Sequence, residues 1–294
     1  MHRDLRLADG RRLSYTGFGG PDGLPCLLVH GFSSSRLLAG WAFSRELLDR
    51  HGVRFIAVDR PGYGRSSPNP GAGFLSWAGD AVALAEDLGL ERLAVLGVSM
   101  GAGPALALAS ARPDLVTSTT ILSGMAPLGA RERMNPAARA DALYWRLARV
   151  APWLLRRLCD LSAKAMTRAD RAERLIAGAE RAMPDADLRI FRKLIQEEPA
   201  RAAFAADARE SGRQGGGGML DDLLTYLRPW GFDPATVRGP VRWWHGVDDP
   251  KVPVALARRL TERLTDGAAR FVPGGHFAPF AHLDEILAPI GAEA

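Results

Sequence analysis

Gly97-Val98-Ser99-Met100-Gly101 follows the apolar run Leu93-Ala94-Val95-Leu96 and opens a second one, Pro104-Ala105-Leu106-Ala107-Leu108-Ala109. That order reads as strand, tight turn, helix. A serine on such a turn takes strained backbone angles, and glycines two before and two after it remove the Cβ atoms that would collide with the neighbouring strand and helix. The hydroxyl is pushed into a cleft, with the free N–H groups and positive dipole end of the following helix behind it. Gly-x-Ser-x-Gly alone recurs by chance in a chain with 32 glycines. The flanking strand and small-residue helix are what make it a nucleophile elbow.

On either side of the elbow, short apolar runs alternate with longer amphipathic ones, the pattern of a parallel sheet wound with helices. The predicted strands are Arg12 to Gly17, Cys26 to His30, Phe55 to Asp59, Leu93 to Gly97, Val116 to Leu122, Val241 to His245 and Ala269 to Val272. Several are apolar throughout, as expected where helices cover both sheet faces. Predicted helices are Arg36 to Arg50, Phe74 to Leu88, Met100 to Ala111, Val254 to Leu264 and Leu283 to Ile290. The alternation stops near Met125 and resumes near Val241. This divides the chain into a core of residues 1–124 and 239–294 and an Ala/Arg-rich helical insertion over 125–238.

Within the insertion, Leu143, Leu147, Val150, Leu154, Leu158 and Leu161 recur at helical spacing. Pro152 divides this stripe between two helices, in the first turn of the second. A stripe of this kind needs a partner, so the insertion is expected to lie over the sheet as a cap. Gly215-Gly216-Gly217-Gly218 interrupts it as a flexible joint, either a plain loop or a lid hinge.

The net charge of +5 and pI near 9.7 arise in one place. From Arg131 to Arg213 there are 18 Lys/Arg against 12 Asp/Glu, leaving 20 against 21 elsewhere. These arginines alternate with acids and alanines and no aromatic-interleaved basic motif accompanies them, so nucleic acid is not expected as a partner. A secondary reading is that some face the cleft and attract an anionic substrate. No apolar run follows Met1-His2-Arg3-Asp4, and no stretch approaches the roughly 18 to 20 uncharged residues that cross a bilayer. A soluble cytoplasmic protein without membrane insertion is expected. Cys26 and Cys159 are the two cysteines, too few for a disulfide framework or a thiolate metal site, and read as inert buried thiols.

A serine hydroxyl is a poor nucleophile at neutral pH. Ser99 needs a base, the base an orienting acid, and the developing oxyanion two donors. An acidic turn, Val247-Asp248-Asp249-Pro250-Lys251-Val252-Pro253, follows the strand ending Trp243-Trp244-His245-Gly246; an imidazole sits in Pro273-Gly274-Gly275-His276-Phe277 after the last strand. In a parallel sheet these loops leave on the same edge as the elbow. The candidates run Ser99, Asp249, His276, the chain order of a known hydrolase triad. The donors are the backbone N–H groups of Met100, just after the serine, and of Phe32, after Leu28-Val29-His30-Gly31. His30 braces that turn. Asp248, adjacent to the chosen acid, and His282, near the start of the C-terminal helix, are the competing choices. Asp59 is assigned to backbone hydrogen bonds in its Pro/Gly turn, and Trp243 and Trp244 to the core.

On these residues the chain resembles the α/β-hydrolase superfamily over nearly everything outside the insertion. His30-Gly31 is similar to its oxyanion-loop motif, Asp59-Arg60-Pro61-Gly62-Tyr63-Gly64-Arg65-Ser66 to its strand-4 turn, Gly97 to Gly101 to its elbow. Gly246-x-x-Asp249-Pro250-x-Val252-Pro253 is similar to its acid loop and Gly275-His276 to its histidine loop. Ser35-Arg36 and the segment Pro229 to Phe232 resemble capped bacterial members. The resemblance implies an α/β fold with a mostly parallel sheet, helices on both faces and an inserted helical cap. It also implies a Ser-His-Asp mechanism on a small-molecule acyl substrate, with no metal or organic cofactor. Serine at the elbow argues against the alkyl-enzyme chemistry of haloalkane dehalogenases and epoxide hydrolases, and Met100 against a proline iminopeptidase. Carboxylic ester hydrolysis is the leading expectation. Carbon–carbon bond hydrolysis, cofactor-free perhydrolysis and non-catalytic ligand binding are the alternatives. Tyr144, Trp145, Trp153, Phe191 and Phe204 are the insertion aromatics that either line the pocket or pack.

Overall fold

The computed structural model describes residues 2–128, 139–169 and 171–292; Arg131 and Arg133, counted in the insertion's charge, lie outside them. Among the described residues eight strands form one sheet: β1 His2–Arg6, β2 Arg12–Phe18, β3 Leu24–Val29, β4 Val53–Val58, β5 Leu93–Val98, β6 Val116–Leu122, β7 Val241–Gly246 and β8 Gly267–Val272. Their order across the sheet is β1-β2-β4-β3-β5-β6-β7-β8. The pairs β1–β2 and β2–β4 are antiparallel and the other neighbouring pairs parallel, so the loops after β3 to β8 leave on one edge.

The apolar strands divide their side chains between two cores. Leu27, Val29, Ile56, Val58, Val95, Ile121 and Trp243 face one core; their neighbours Cys26, Leu28, Phe55, Ala57, Leu96, Leu122 and Trp244 face the other. Helices α1 Ala39–Ala42, α2 Arg45–Arg50, α3 Phe74–Asp87 and α4 Ala102–Ala111 join the first strands. Between β6 and β7 lie α5 Arg139–Val150, α6 Pro152–Arg168, α7 Ala172–Arg181, α8 Asp185–Leu194, α9 Glu198–Ser211 and α10 Gly217–Tyr226. Helices α11 Val254–Thr261 and α12 Leu283–Gly291 follow. Among the described residues no helix is long and apolar enough to cross a membrane.

Three expectations need correction, and one strand was not among those predicted. The edge strand β1 was not foreseen, because its sequence is polar and exposed. The helix expected over Arg36 to Arg50 is broken. Phe43 is extended and packs its ring on Phe55 and Phe280, and Ser44 then caps α2 by accepting from Leu47 N. The apolar stripe mostly faces outward: Leu155, Cys159 and Ala163 form the buried face of α6, whereas Leu143, Val150, Trp153, Leu154 and Leu161 are exposed. Pro152 does begin α6.

The four-glycine segment is also not a slack joint. Gly216 N donates to Asp160 Oδ1 at 2.8 Å, and a Cβ at Gly216 would lie 2.2 Å from the Cys159 carbonyl carbon. Glycine permits two helices to touch there.

Candidate active site

The turn after β5 has the form that its glycines dictate. Ser99 has φ 54°. A Cβ at Gly97 would lie 2.7 Å from Gly101 O, and one at Gly101 2.2 Å from Val29 O, so neither position accepts a side chain without moving backbone. Tyr226, from α10, holds the turn from below: its hydroxyl accepts from Gly103 N and donates to Met100 O, both at 2.9 Å.

His276 and Asp249 meet beside it. His276 Nδ1 lies 2.7 Å from Asp249 Oδ2. The other oxygen, Oδ1, accepts from Lys251 N and Val252 N at 2.8 and 2.9 Å. Burial alone raises a carboxyl's pKa, but the His276 charge and hydrogen bond, aided by His245 and the Val252 amide, hold Asp249 below its ordinary value. It is buried and ionised, and with Nδ1 as its donor the His276 ring presents Nε2 elsewhere. Ser99 and His276 line the same cavity. Among the described residues no hydrogen bond joins the serine hydroxyl to the ring; bonds between a catalytic base and its nucleophile commonly tighten only with substrate in place.

The competing candidates fall elsewhere. Asp248 is exposed. His282 pairs with Glu285 at 3.0 Å and stacks on Trp244. Asp59 accepts from Arg36 N and Arg65 N and pairs with the Arg36 guanidinium. His30 braces the loop as expected: Nδ1 donates to Gly31 O and Nε2 accepts from Arg60 N. Burial, then the Arg60 charge, push its pKa well down, so it stays neutral. Phe32 and Met100 both line the cavity. A Cβ at Gly31 would lie 3.1 Å from Ser99 Cβ, so the loop after β3 runs directly beside the serine.

Four groups escaped the sequence reading. Asp187 of α8 accepts from His276 N at 2.9 Å and Phe277 N at 2.8 Å. Ser123, at φ 49°, donates to His276 O at 2.7 Å. Asp207 of α9 gathers the hydroxyls of Ser34 and Ser35, Ser35 N and Trp41 Nε1, and burial pushes its carboxyl up to about 6 against those donors. His245 is fully buried, donates from Nε2 to Val252 O and lies 3.5 Å from Asp249 Oδ2. Local sequence carried no signal for the two carboxylates, whose partners are 89 to 173 positions away.

The cavity measures about 740 Å³ and is walled mainly by apolar side chains. Of the insertion aromatics, Tyr144, Trp145 and Phe204 line it, Phe191 is buried against Trp41 and Phe204, and Trp153 is exposed. The exposed Arg168, Arg174 and Arg181 also line it, so some arginines of the basic insertion do face the cleft. Among the described residues no group of three His, Cys, Asp or Glu is placed to hold a metal. Both thiols are buried, and burial pushes Cys159 up to about 12.

A family model described as alpha/beta hydrolase fold matches residues 25–283. A non-heme chloroperoxidase of Streptomyces lividans is 34% identical over 131 residues, 44% of this chain and 47% of that protein. A putative non-heme chloroperoxidase of Synechocystis is 24% identical over 270 residues, 90% of this chain and 88% of that one. The chain thus spans less than half the length of the Streptomyces lividans relative. Among solved structures, an esterase from Exiguobacterium antarcticum superposes with a TM-score of 0.68 at 17% identity, covering 99% of this chain and 98% of that one, a likeness of fold.

Proposed function

The chain belongs to the alpha/beta hydrolase family, and from that premise we propose that it is a serine hydrolase cleaving a carboxylic ester or related acyl substrate. One observation carries the reading: Ser99, held at φ 54°, faces a cavity shared with an imidazole whose far nitrogen is tied to a buried carboxylate. Ser99 Oγ attacks the acyl carbon as His276 Nε2 takes its proton. The tetrahedral oxyanion is held by the N–H groups of Phe32 and Met100, each worth about 3–4 kcal/mol. The intermediate expels the alcohol, which receives the proton from His276. Water, deprotonated by His276, then releases the acid and restores the serine. Asp249 stays ionised throughout, fixing the tautomer and balancing the imidazolium; its depressed pKa supports that role.

The division into a core of 1–124 and 239–294 and a cap of 125–238 belongs to the same proposal. The inserted helices supply the outer wall of the cavity through Tyr144, Trp145, Met166 and Phe204. The apolar wall favours a hydrophobic acyl or alcohol group. A second reading is perhydrolysis, in which hydrogen peroxide replaces water at the acyl-enzyme and leaves as a peracid; the matched non-heme chloroperoxidases favour it.

Short activated esters test the proposal. Wild-type protein should turn them over and react with a fluorophosphonate probe, and S99A should do neither. Turnover by S99A at the wild-type rate would refute the assignment. A wild-type protein inert to both reagents would favour the ligand-binding alternative. Peracid formation from acetate and hydrogen peroxide separates the two enzymatic readings.

A further inference from the structure

The outward surface of α5 and α6 has an unusual composition. Leu143 and Val150 of α5 and Trp153, Leu154 and Leu161 of α6 are exposed, Val150 to 70% and Trp153 to 69%. Wound at 3.6 residues per turn, α6 turns Leu155, Cys159 and Ala163 inward. Trp153, Leu154, Arg157, Leu161 and Lys164 then fall on the opposite side. That side carries no carboxylate; Asp160 lies beside it, paired with Arg156. The two helices together hold seven Lys/Arg against two Asp, a net of +5, equal to the net charge of the whole chain.

We propose that this face docks on an anionic lipid surface. Aliphatic and indole groups interleaved with long cationic side chains suit the boundary between headgroups and acyl chains. The apolar tips enter, the indole sits at the interface, and the lysine and arginines reach back to phosphate. Charge chooses the occupant. A second copy of the chain would bring one carboxylate-free cationic face against another, whereas a bilayer rich in anionic headgroups is complementary to it. The same helices line the cavity on their inner side through Tyr144, Trp145 and Met166. Docking therefore sets the cavity about one helix diameter, roughly 10 Å, from the lipid. The inference rests on surface composition and stands whether or not Ser99 is a nucleophile.

Co-sedimentation with vesicles tests it. The wild-type protein and S99A should both bind vesicles of equal parts phosphatidylcholine and phosphatidylglycerol, bind pure phosphatidylcholine far more weakly, and release as salt rises. Each cation near such a surface is worth about fivefold in affinity, so R157E/K164E should bind at least about tenfold more weakly. W153D/L161D should lose a comparable factor by removing the inserted apolar groups. None of these four residues lines the cavity, so hydrolysis of a short soluble ester should match wild type in both variants. Wild-type protein that ignores anionic vesicles, equal binding to neutral ones, or variants that bind like wild type would each overturn the proposal. Concentration-dependent dimers abolished by W153D/L161D would assign the face to a second copy and overturn it as well.

Discussion

Replacing Asp187 with alanine should impair turnover while sparing binding. Its two carboxylate oxygens accept from His276 N and Phe277 N, and the residue is 1% exposed. Each buried N–H left without a partner costs about 1–3 kcal/mol, so the loop carrying the imidazole would absorb about 2–6 kcal/mol. It can recover that only by shifting until other groups or water satisfy the amides. A displacement of about 1 Å at a reacting group costs about a hundredfold in rate. The expected outcome is a kcat reduced about a hundredfold, with KM within about threefold because Asp187 does not line the cavity. D187N retains the volume and one acceptor but turns an NH2 toward an N–H, and should fall between the two. Steady-state kinetics on an activated ester, with urea unfolding in parallel, separates positioning from folding. A folded D187A with wild-type kcat would refute the reasoning. So would activity lost only in proportion to the unfolded fraction.

Five other substitutions bear on the site and its frame. D249N should lower kcat about 10⁴-fold by losing the tautomer control of the imidazole, whereas exposed Asp248 changed to asparagine should leave it near wild type; equal losses would reassign the acid. Burial pushes Asp207 up to about 6, above its unfolded value of about 3.9, so its protonated form contributes stability below about pH 4 that is lost as pH rises through about 6. D207N lacks that step of about 3 kcal/mol, and parallel wild-type and D207N stability profiles across this range would contradict it. G216A should destabilise the fold by about 3 kcal/mol or more because its Cβ meets the Cys159 backbone. G217A, with only the Arg156 guanidinium 3.5 Å away at a helix start, should be neutral or mildly stabilising. Similar denaturation midpoints for the pair would restore the hinge reading.

What could be read in advance was whatever local sequence dictates. Strands such as Leu93–Val98 were legible because burial on both faces makes them apolar at every position. The elbow was legible because close packing leaves only glycine at 97 and 101. Asp249 was separable from Asp248 by spacing, which mirrors the turn that lets its Oδ1 collect two amides. Features set by distant partners were not legible. Nothing near Phe43 announces that Phe55 and Phe280 will pull it out of helix. Four glycines look the same whether they bend or pack. The stripe from Leu143 to Leu161 has helical spacing, but spacing does not say which side of the helix the core lies on.

The loops around the site are each gripped by the insertion. Asp207 of α9 holds the loop after β3 at Ser34 and Ser35. Asp222 of α10 takes the Arg60 guanidinium with two bonds and accepts from the Tyr63 hydroxyl in the turn after β4. Tyr226 bonds to the turn after β5, Asp141 of α5 pairs with Lys251 in the loop after β7, and Asp187 of α8 holds the loop after β8. Swinging these helices away as a rigid lid would break the grips together. Uncoupling Arg60 from Asp222 alone, with both groups kept dry, would cost about 3–5 kcal/mol. Wholesale opening is therefore costly, and the exposed Arg168, Arg174 and Arg181 line the cavity with these grips in place. On the proposed mechanism, an insertion that grips the loops bearing Ser99, Asp249 and His276 shapes the reacting geometry as well as the pocket, so changes within it should alter turnover together with selectivity.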